Sequence, residues 1–196
     1  MKIAVIDYGA GNLYSICNAL KKLGQRFQVI TRPEELPRFD KVIFPGVGAA
    51  GATMQRLLET GFIEAIPQLD IPFLGICLGM QLLAEFSEED FTQCLFVIPG
   101  RVKKFQTELK VPQIGWNKVK FLKPSPLTVG IEDESYFYFV NSYYFDSPEK
   151  FIIGQSLYEV PFASLVQKDN FYATQFHPEK SGEAGLQLLR NFCERC

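Results

Sequence analysis

Ile71-Pro72-Phe73-Leu74-Gly75-Ile76-Cys77-Leu78-Gly79-Met80-Gln81 is the stretch whose reading decides the fold. Ile71–Leu74 is apolar, and residues 72 to 76 read as a strand. Met80, Leu82, Leu83 and Ala84 then continue as a helical pattern. Strand, glycine-flanked cysteine, helix is the cysteine version of a nucleophile elbow. Glycines on both sides let the turn tighten where a Cβ would clash. The thiol is then presented above a sheet, at a helix N-terminus whose dipole favours thiolate. A buried core cysteine, the commoner fate of the residue, needs no such glycines.

The rest of the first half extends this pattern. Ile3–Asp7, Phe27–Ile30 and Lys41–Phe44 read as strands. The segment Asn12–Leu23 reads as a helix with Leu13, Ile16, Cys17 and Leu20 on one face, and Met54, Leu57 and Leu58 belong to the next helix. Strands alternating with helices through short links predict an α/β fold with a largely parallel central sheet flanked by helices. Beyond about Phe91, strand-like runs dominate: 100–105, 117–121, 136–145, 151–158, 162–167 and 172–176. They predict an antiparallel extension, followed by a closing helix from about Gly182 with Ser181 as its N-cap. No repeat or low-complexity linker interrupts the chain, so one domain over residues 1–196 is expected.

Composition narrows the function. The net charge is −2, with no basic stripe for nucleic acid and no polybasic membrane patch. The longest apolar runs, such as 136–144, are too short and polar to span a bilayer. Met1-Lys2 leads straight into a strand, without a secretory leader pattern. Five cysteines in that setting predict a reducing, cytoplasmic location. The terminal Cys193-Glu194-Arg195-Cys196 lacks a second ligand pair, so the frayed end of a helix is the simpler reading, and no metal site is predicted.

Three further segments bear on chemistry. Gly46-Val47-Gly48-Ala49-Ala50-Gly51 is a literal G-x-G-x-x-G after a strand. A dinucleotide site would want an acidic residue at the end of the next strand, where Cys77 stands instead. Pro45–Gly48 fits better as a loop of backbone N–H donors able to hold an oxyanion, with an ordinary tight turn as the alternative. His177, the one histidine, lies in Gln175-Phe176-His177-Pro178-Glu179. Glu179 is placed to hold an imidazole in one tautomer and stabilise its cation. Cys, His and Glu together predict acyl transfer through a thioester, by a cysteine-dependent hydrolase or amide-transfer enzyme.

Gly75–Gln81 and Gln175–Glu179 resemble the two signatures of class I, triad-type glutamine amidotransferases. Asp7-Tyr8-Gly9-Ala10-Gly11-Asn12-Leu13, Pro45–Gly48, Ile114-Gly115-Trp116-Asn117 and His177-Pro178-Glu179-Lys180-Ser181 are similar to the branch that supplies the glutaminase subunit of imidazole glycerol phosphate synthase. The resemblance spans essentially the whole chain. It implies hydrolysis of L-glutamine at Cys77, with His177 and Glu179 completing the triad and no cofactor. It implies an oxyanion hole from Leu78 and the Gly46, Val47, Gly48 loop, and substrate contacts from Gly48, Gln81, Glu89, Ser142 and Tyr143. It also implies a heterodimer with a (β/α)8-barrel cyclase subunit that receives the ammonia, with Asn12, Trp116 and Lys180 facing it. The Pro45–Gly48 loop would be the element that switches. Two positions depart from the pattern, where the family often has histidine: Gln113 and Asn141. The alternatives are a paralogue feeding another acceptor such as a surface-sugar amidotransferase, a non-catalytic regulatory relative, and a free-standing peptidase of the same fold. Gln81 favours glutamine over peptide.

Overall fold

The computed structural model describes residues 1–9 and 13–196. Strand β1 (Ile3–Ile6), helix α1 (Leu13–Lys22), β2 (Phe27–Ile30), β3 (Lys41–Gly46), α2 (Ala50–Thr60), the short α3 (Phe62–Ala65), β4 (Phe73–Cys77) and α4 (Leu78–Gln81) make the first half. The second half holds β5 (Phe86–Ser87), β6 (Thr92–Gln93), β7 (Arg101–Lys104), β8 (Gln113–Phe121), β9 (Ser135–Asn141), β10 (Tyr143–Asp146), β11 (Ile152–Tyr158), β12 (Val160–Lys168), β13 (Phe171–Thr174) and α5 (Gly182–Arg195). Strands β2, β1, β3, β4 and β13 lie side by side and parallel. From β13 the pairing turns antiparallel through β12, β10 and β7, while β11 branches from β12 to carry β8 and β9. This is the parallel sheet with an antiparallel extension that the sequence predicts.

Strands β1, β3, β4 and β13 are buried throughout, which is why they read as continuous apolar runs rather than alternating ones. Alternate side chains feed two cores. Ile3, Val5, Ile43 and Leu74 pack with Ile16 and Leu20 of α1 and Leu188 and Phe192 of α5. Ala4, Ile6, Val42 and Phe44 pack on the other face with Met54 and Leu57 of α2. Lys41 is almost fully buried, and its Nζ donates to the carbonyls of Phe192 and Cys196 at 2.8 and 2.9 Å, which satisfies the end of α5.

Three expectations are corrected. The helix after the elbow is a single turn. Its continuation would need the carbonyls of Leu82, Leu83 and Ala84, but these accept N–H groups from Leu95 to Ile98 at 2.8 to 3.0 Å. The run 136–145 is two strands, broken at Ser142, whose carbonyl accepts from the Phe105 N–H at 3.1 Å. The chain end is not frayed: Cys193 is fully buried, and burial pushes its pKa up to about 12.

Candidate active site

Strand register brings the three motifs together. Gly46 pairs with Cys77 across β3 and β4, and Ile76 pairs with Thr174 across β4 and β13. Parallel strands carry their following loops to the same edge, so Gly46–Gly48, Cys77–Gln81 and Gln175–Glu179 converge at the carboxyl end of the sheet.

Cys77 ends β4 with φ 56° and ψ −109°, a conformation unusual for any residue with a Cβ. The backbone can hold it because α4 lies directly against the strands. A Cβ on Gly79 would collide with the Phe44 carbonyl, and one on Gly75 would come within 2.6 Å of the Gly79 carbonyl. The thiol is mostly buried, with Sγ 3.7 Å from the Val140 carbonyl. Gly46, expected in the oxyanion hole, is buried under Leu78 and Gly79 and acts as a spacer.

His177 is 4% exposed, and its Nδ1 lies 2.9 Å from Glu179 Oε1. Its loop is tied to β9 by a reciprocal pair: His177 N–H donates to the Tyr138 carbonyl, and Tyr138 N–H donates to Ser181 Oγ, both at 2.9 Å. Ser181 Oγ donates in turn to the His177 carbonyl at 2.6 Å. Ser181 therefore does not cap α5 with its side chain, as the sequence predicts, but braces the histidine. Burial pulls the imidazole pKa down, yet hydrogen bonds to Cys77 and Glu179 and their charges outweigh it and raise it to about 10. The Glu179 carboxylate on Nδ1 and the nearby Cys77 sulfur favour the protonated ring.

An open cleft of about 340 Å³ lies over these residues. Cys77, Leu78 and His177 line it, as do the nominated Val47, Gly48, Gln81, Glu89, Ser142, Tyr143 and Lys180. Glu89 has a second contact: its Oε2 accepts the Ala50 N–H at 2.8 Å, capping α2, whose own N-cap residue Ala49 offers no side-chain acceptor. Burial raises the Glu89 pKa, partly offset by that bond. Gly48 has φ 102°, a value glycine adopts freely. Val47 N–H and carbonyl are both engaged by the buried Tyr8 hydroxyl at 3.2 Å, so this predicted oxyanion donor is occupied.

Trp116 does not pack in a core. It is 55% exposed on β8, opposite Tyr138 on β9 with ring centroids 6.0 Å apart, and Ile114 and Tyr136 beside it are also exposed. Asn12 lies outside the described residues. Gln113 and Asn141, the two departures, face each other across β8 and β9, both buried, each with an unpartnered side-chain oxygen. The two departures thus meet at one place in the fold. Sequence reasoning missed Tyr8 and Gln175 as site residues. Both stood in quoted motifs, but contact with Val47 and with Cys77 is a product of folding. Among the described residues, no group of three or more His, Cys, Asp or Glu side chains is placed to hold a metal ion, and no helix is long and apolar enough to cross a membrane.

Comparison with known proteins gives the family. Residues 4–196 match the family Glutamine amidotransferase class-I. The imidazole glycerol phosphate synthase subunit HisH of Bacteroides fragilis is 50% identical, over 99% of this chain and 100% of its own length. The subunit of the same name from Methanocaldococcus jannaschii is 48% identical, over 98% of both chains. A crystal structure of a glutamine amidotransferase superposes with a TM-score of 0.77 at 20% identity, over 97% of both chains, a likeness of fold. By sequence, fold and site geometry, the chain belongs to the class I glutamine amidotransferases, in the branch formed by the HisH subunits of imidazole glycerol phosphate synthase.

Proposed function

We propose that this protein is the glutaminase subunit of an imidazole glycerol phosphate synthase, one glutaminase domain that hydrolyses L-glutamine and delivers ammonia to a (β/α)8-barrel cyclase subunit in histidine biosynthesis. The observation that carries this reading is the strand register that sets Cys77, His177 and the Gly46–Gly48 loop at one sheet edge, with His177 braced on Glu179 at 2.9 Å. Five free cysteines fit a reducing cytoplasm.

The chemistry follows from the groups in place. Cys77 sulfur, as thiolate, attacks the side-chain carboxamide carbon of glutamine, and the carbonyl oxygen takes up the negative charge. The Leu78 N–H receives that oxyanion, joined by the Val47–Gly48 segment once the Val47 N–H is released from the Tyr8 hydroxyl. His177, protonated and held by Glu179, gives its proton to the leaving nitrogen, the C–N bond breaks, and ammonia departs from a thioester. His177, now neutral, takes a proton from water as the water attacks the thioester. Glutamate leaves and the sulfur is restored. Gln81, Glu89, Ser142 and Tyr143 hold the substrate, with the Glu89 carboxylate suited to an ammonium. Trp116 and Lys180 face the cyclase, and large exposed aromatics are the side chains that anchor such interfaces.

The test is glutamate release from glutamine by the purified protein, with and without the cyclase subunit and its phosphoribosyl-formimino carboxamide nucleotide. Strong stimulation by the nucleotide-loaded cyclase, abolished by Cys77→Ala, is the expected result. Turnover indifferent to this cyclase would refute the pathway assignment and direct the search to another ammonia acceptor, such as a sugar-modifying enzyme.

A further inference from the structure

Gln175 is no member of the triad, yet it is fully buried beside the nucleophile. Because Ile76 pairs with Thr174, the next step along both chains sets Gln175 alongside Cys77. Its backbone N–H is fixed by the Ser164 carbonyl at 2.9 Å. A buried primary amide carries two N–H donors and an acceptor that must find partners or cost free energy.

The orientation of that amide can be deduced from one end of a chain of contacts. The Tyr143 carbonyl only accepts, so the Gln81 atom 2.9 Å from it is Nε2. The same nitrogen lies 2.9 Å from the Gln175 side chain and so meets its oxygen, Oε1. The Gln175 nitrogen is left toward the elbow, with Nε2 3.7 Å from Cys77 Sγ. One backbone carbonyl thereby orients two amides in series and ends in an N–H aimed at sulfur.

We infer that Gln175 is a catalytic hydrogen-bond donor to the Cys77 sulfur, oriented by the relay from the Tyr143 carbonyl through Gln81. The inference rests on the glutaminase reading and deepens it. A donor favours the anionic sulfur needed for attack and again when the thioester is hydrolysed. It opposes the Val140 carbonyl, also 3.7 Å from Sγ, which favours the neutral thiol. The relay has a second effect. Gln81 commits its nitrogen to Tyr143 and Gln175, so the atom it retains for the cleft is its carbonyl oxygen. That oxygen accepts an N–H from the substrate and offers nothing to a bare carboxylate oxygen.

The test uses Gln175→Glu, which keeps the acceptor for Gln81 and replaces the donor with an anion, and Gln175→Met, which keeps the length and removes both. Two rates are measured: kcat and KM for glutamate release with the cyclase present, and alkylation of Cys77 by iodoacetamide at neutral pH, read from the mass of its peptide. Gln175→Glu is expected to slow both kcat and alkylation by roughly tenfold or more, with KM within about threefold. Gln175→Met should slow alkylation less. Variants that melt cooperatively yet keep wild-type alkylation and kcat would overturn the inference. If Gln175→Glu does not fold, Gln175→Met carries the comparison. Alkylation needs no glutamine, so a wild-type protein without glutamate release would overturn the glutaminase reading and leave the Gln175 comparison standing.

Discussion

Tyr8→Phe should raise the glutaminase rate of the protein in the absence of its partner. The Tyr8 hydroxyl takes the Val47 N–H and gives its own proton to the Val47 carbonyl, both at 3.2 Å. Burial raises the Tyr8 pKa, the largest influence on it, so the hydroxyl stays protonated and both bonds persist through the working pH range. While they persist, a backbone donor of the oxyanion loop points away from the substrate. A net hydrogen bond is worth about 1 kcal/mol, and 3.2 Å is the long end of the range. Val47 is also half-buried, so water replaces part of what is lost. The latch is therefore worth about 1 to 2 kcal/mol, and its removal should shift the loop toward the receptive state by roughly five- to thirtyfold. The assay is glutamate release from saturating glutamine by the isolated subunit, with melting temperature as control. The added effect of the nucleotide-loaded cyclase should shrink by the same factor, because part of its work is already done. A basal rate equal to or below wild type, in a variant that melts normally, would refute the latch.

Other expectations follow from the same geometry. Glu179→Gln should lower kcat by about 10³- to 10⁴-fold, the scale seen when a serine-protease triad loses its orienting carboxylate, with little change in KM; a loss below tenfold would remove Glu179 from the triad. Ser181→Ala leaves the Tyr138 N–H without its partner, at a cost of about 1 to 3 kcal/mol, or roughly 2 to 12 °C in melting temperature for a chain of this size. Unchanged melting and kcat would show that the brace is redundant. Gly79→Ala drives a methyl group into the Phe44 carbonyl and should cost about 3 kcal/mol or more, read as lost solubility or cooperative melting. The His177 pKa is raised from 6.5 to about 10, so its protonation stabilises the fold fully below about pH 6.5, and that contribution is lost as pH rises through about 10. The melting-temperature advantage of wild type over His177→Gln should accordingly shrink across that window, and a constant difference would contradict the shift.

What the sequence made legible tracks how local the determinant is. The elbow is written in consecutive residues, because the glycines around Cys77 leave the room that α4 needs to pass close to β3 and β4. The parallel half is legible because its strands are buried on both faces and alternate with amphipathic helices. The short α4 was not, since what stops it is a set of N–H groups arriving from Leu95 to Ile98. Ser181 shows the same limit in one side chain. A serine before a helix has the pattern of an N-cap, but the Tyr138 N–H and the His177 carbonyl compete for its hydroxyl and win. The buried pair of Gln113 and Asn141 reads as two separate departures along the chain and as one only after β8 and β9 are paired.

The proposed catalytic groups are restrained from two sides, and the sides differ in access. The proposed oxyanion loop is held by Tyr8, which lies just after β1, is 2% exposed and is out of reach of a macromolecule. The base is held from β9 by Tyr138, which exchanges hydrogen bonds with the histidine loop and packs edge-on against Trp116. Trp116, Ile114 and Tyr136 form an exposed apolar stripe on the same hairpin. A partner seated on that stripe would press on the strand that braces His177, whereas it would reach Tyr8 only through motion of the loop between them. The lever for activation therefore lies on the base side and the latch on the oxyanion side. The base is assembled without a partner, so under the proposed function the contact left for activation to change is the Val47–Tyr8 latch.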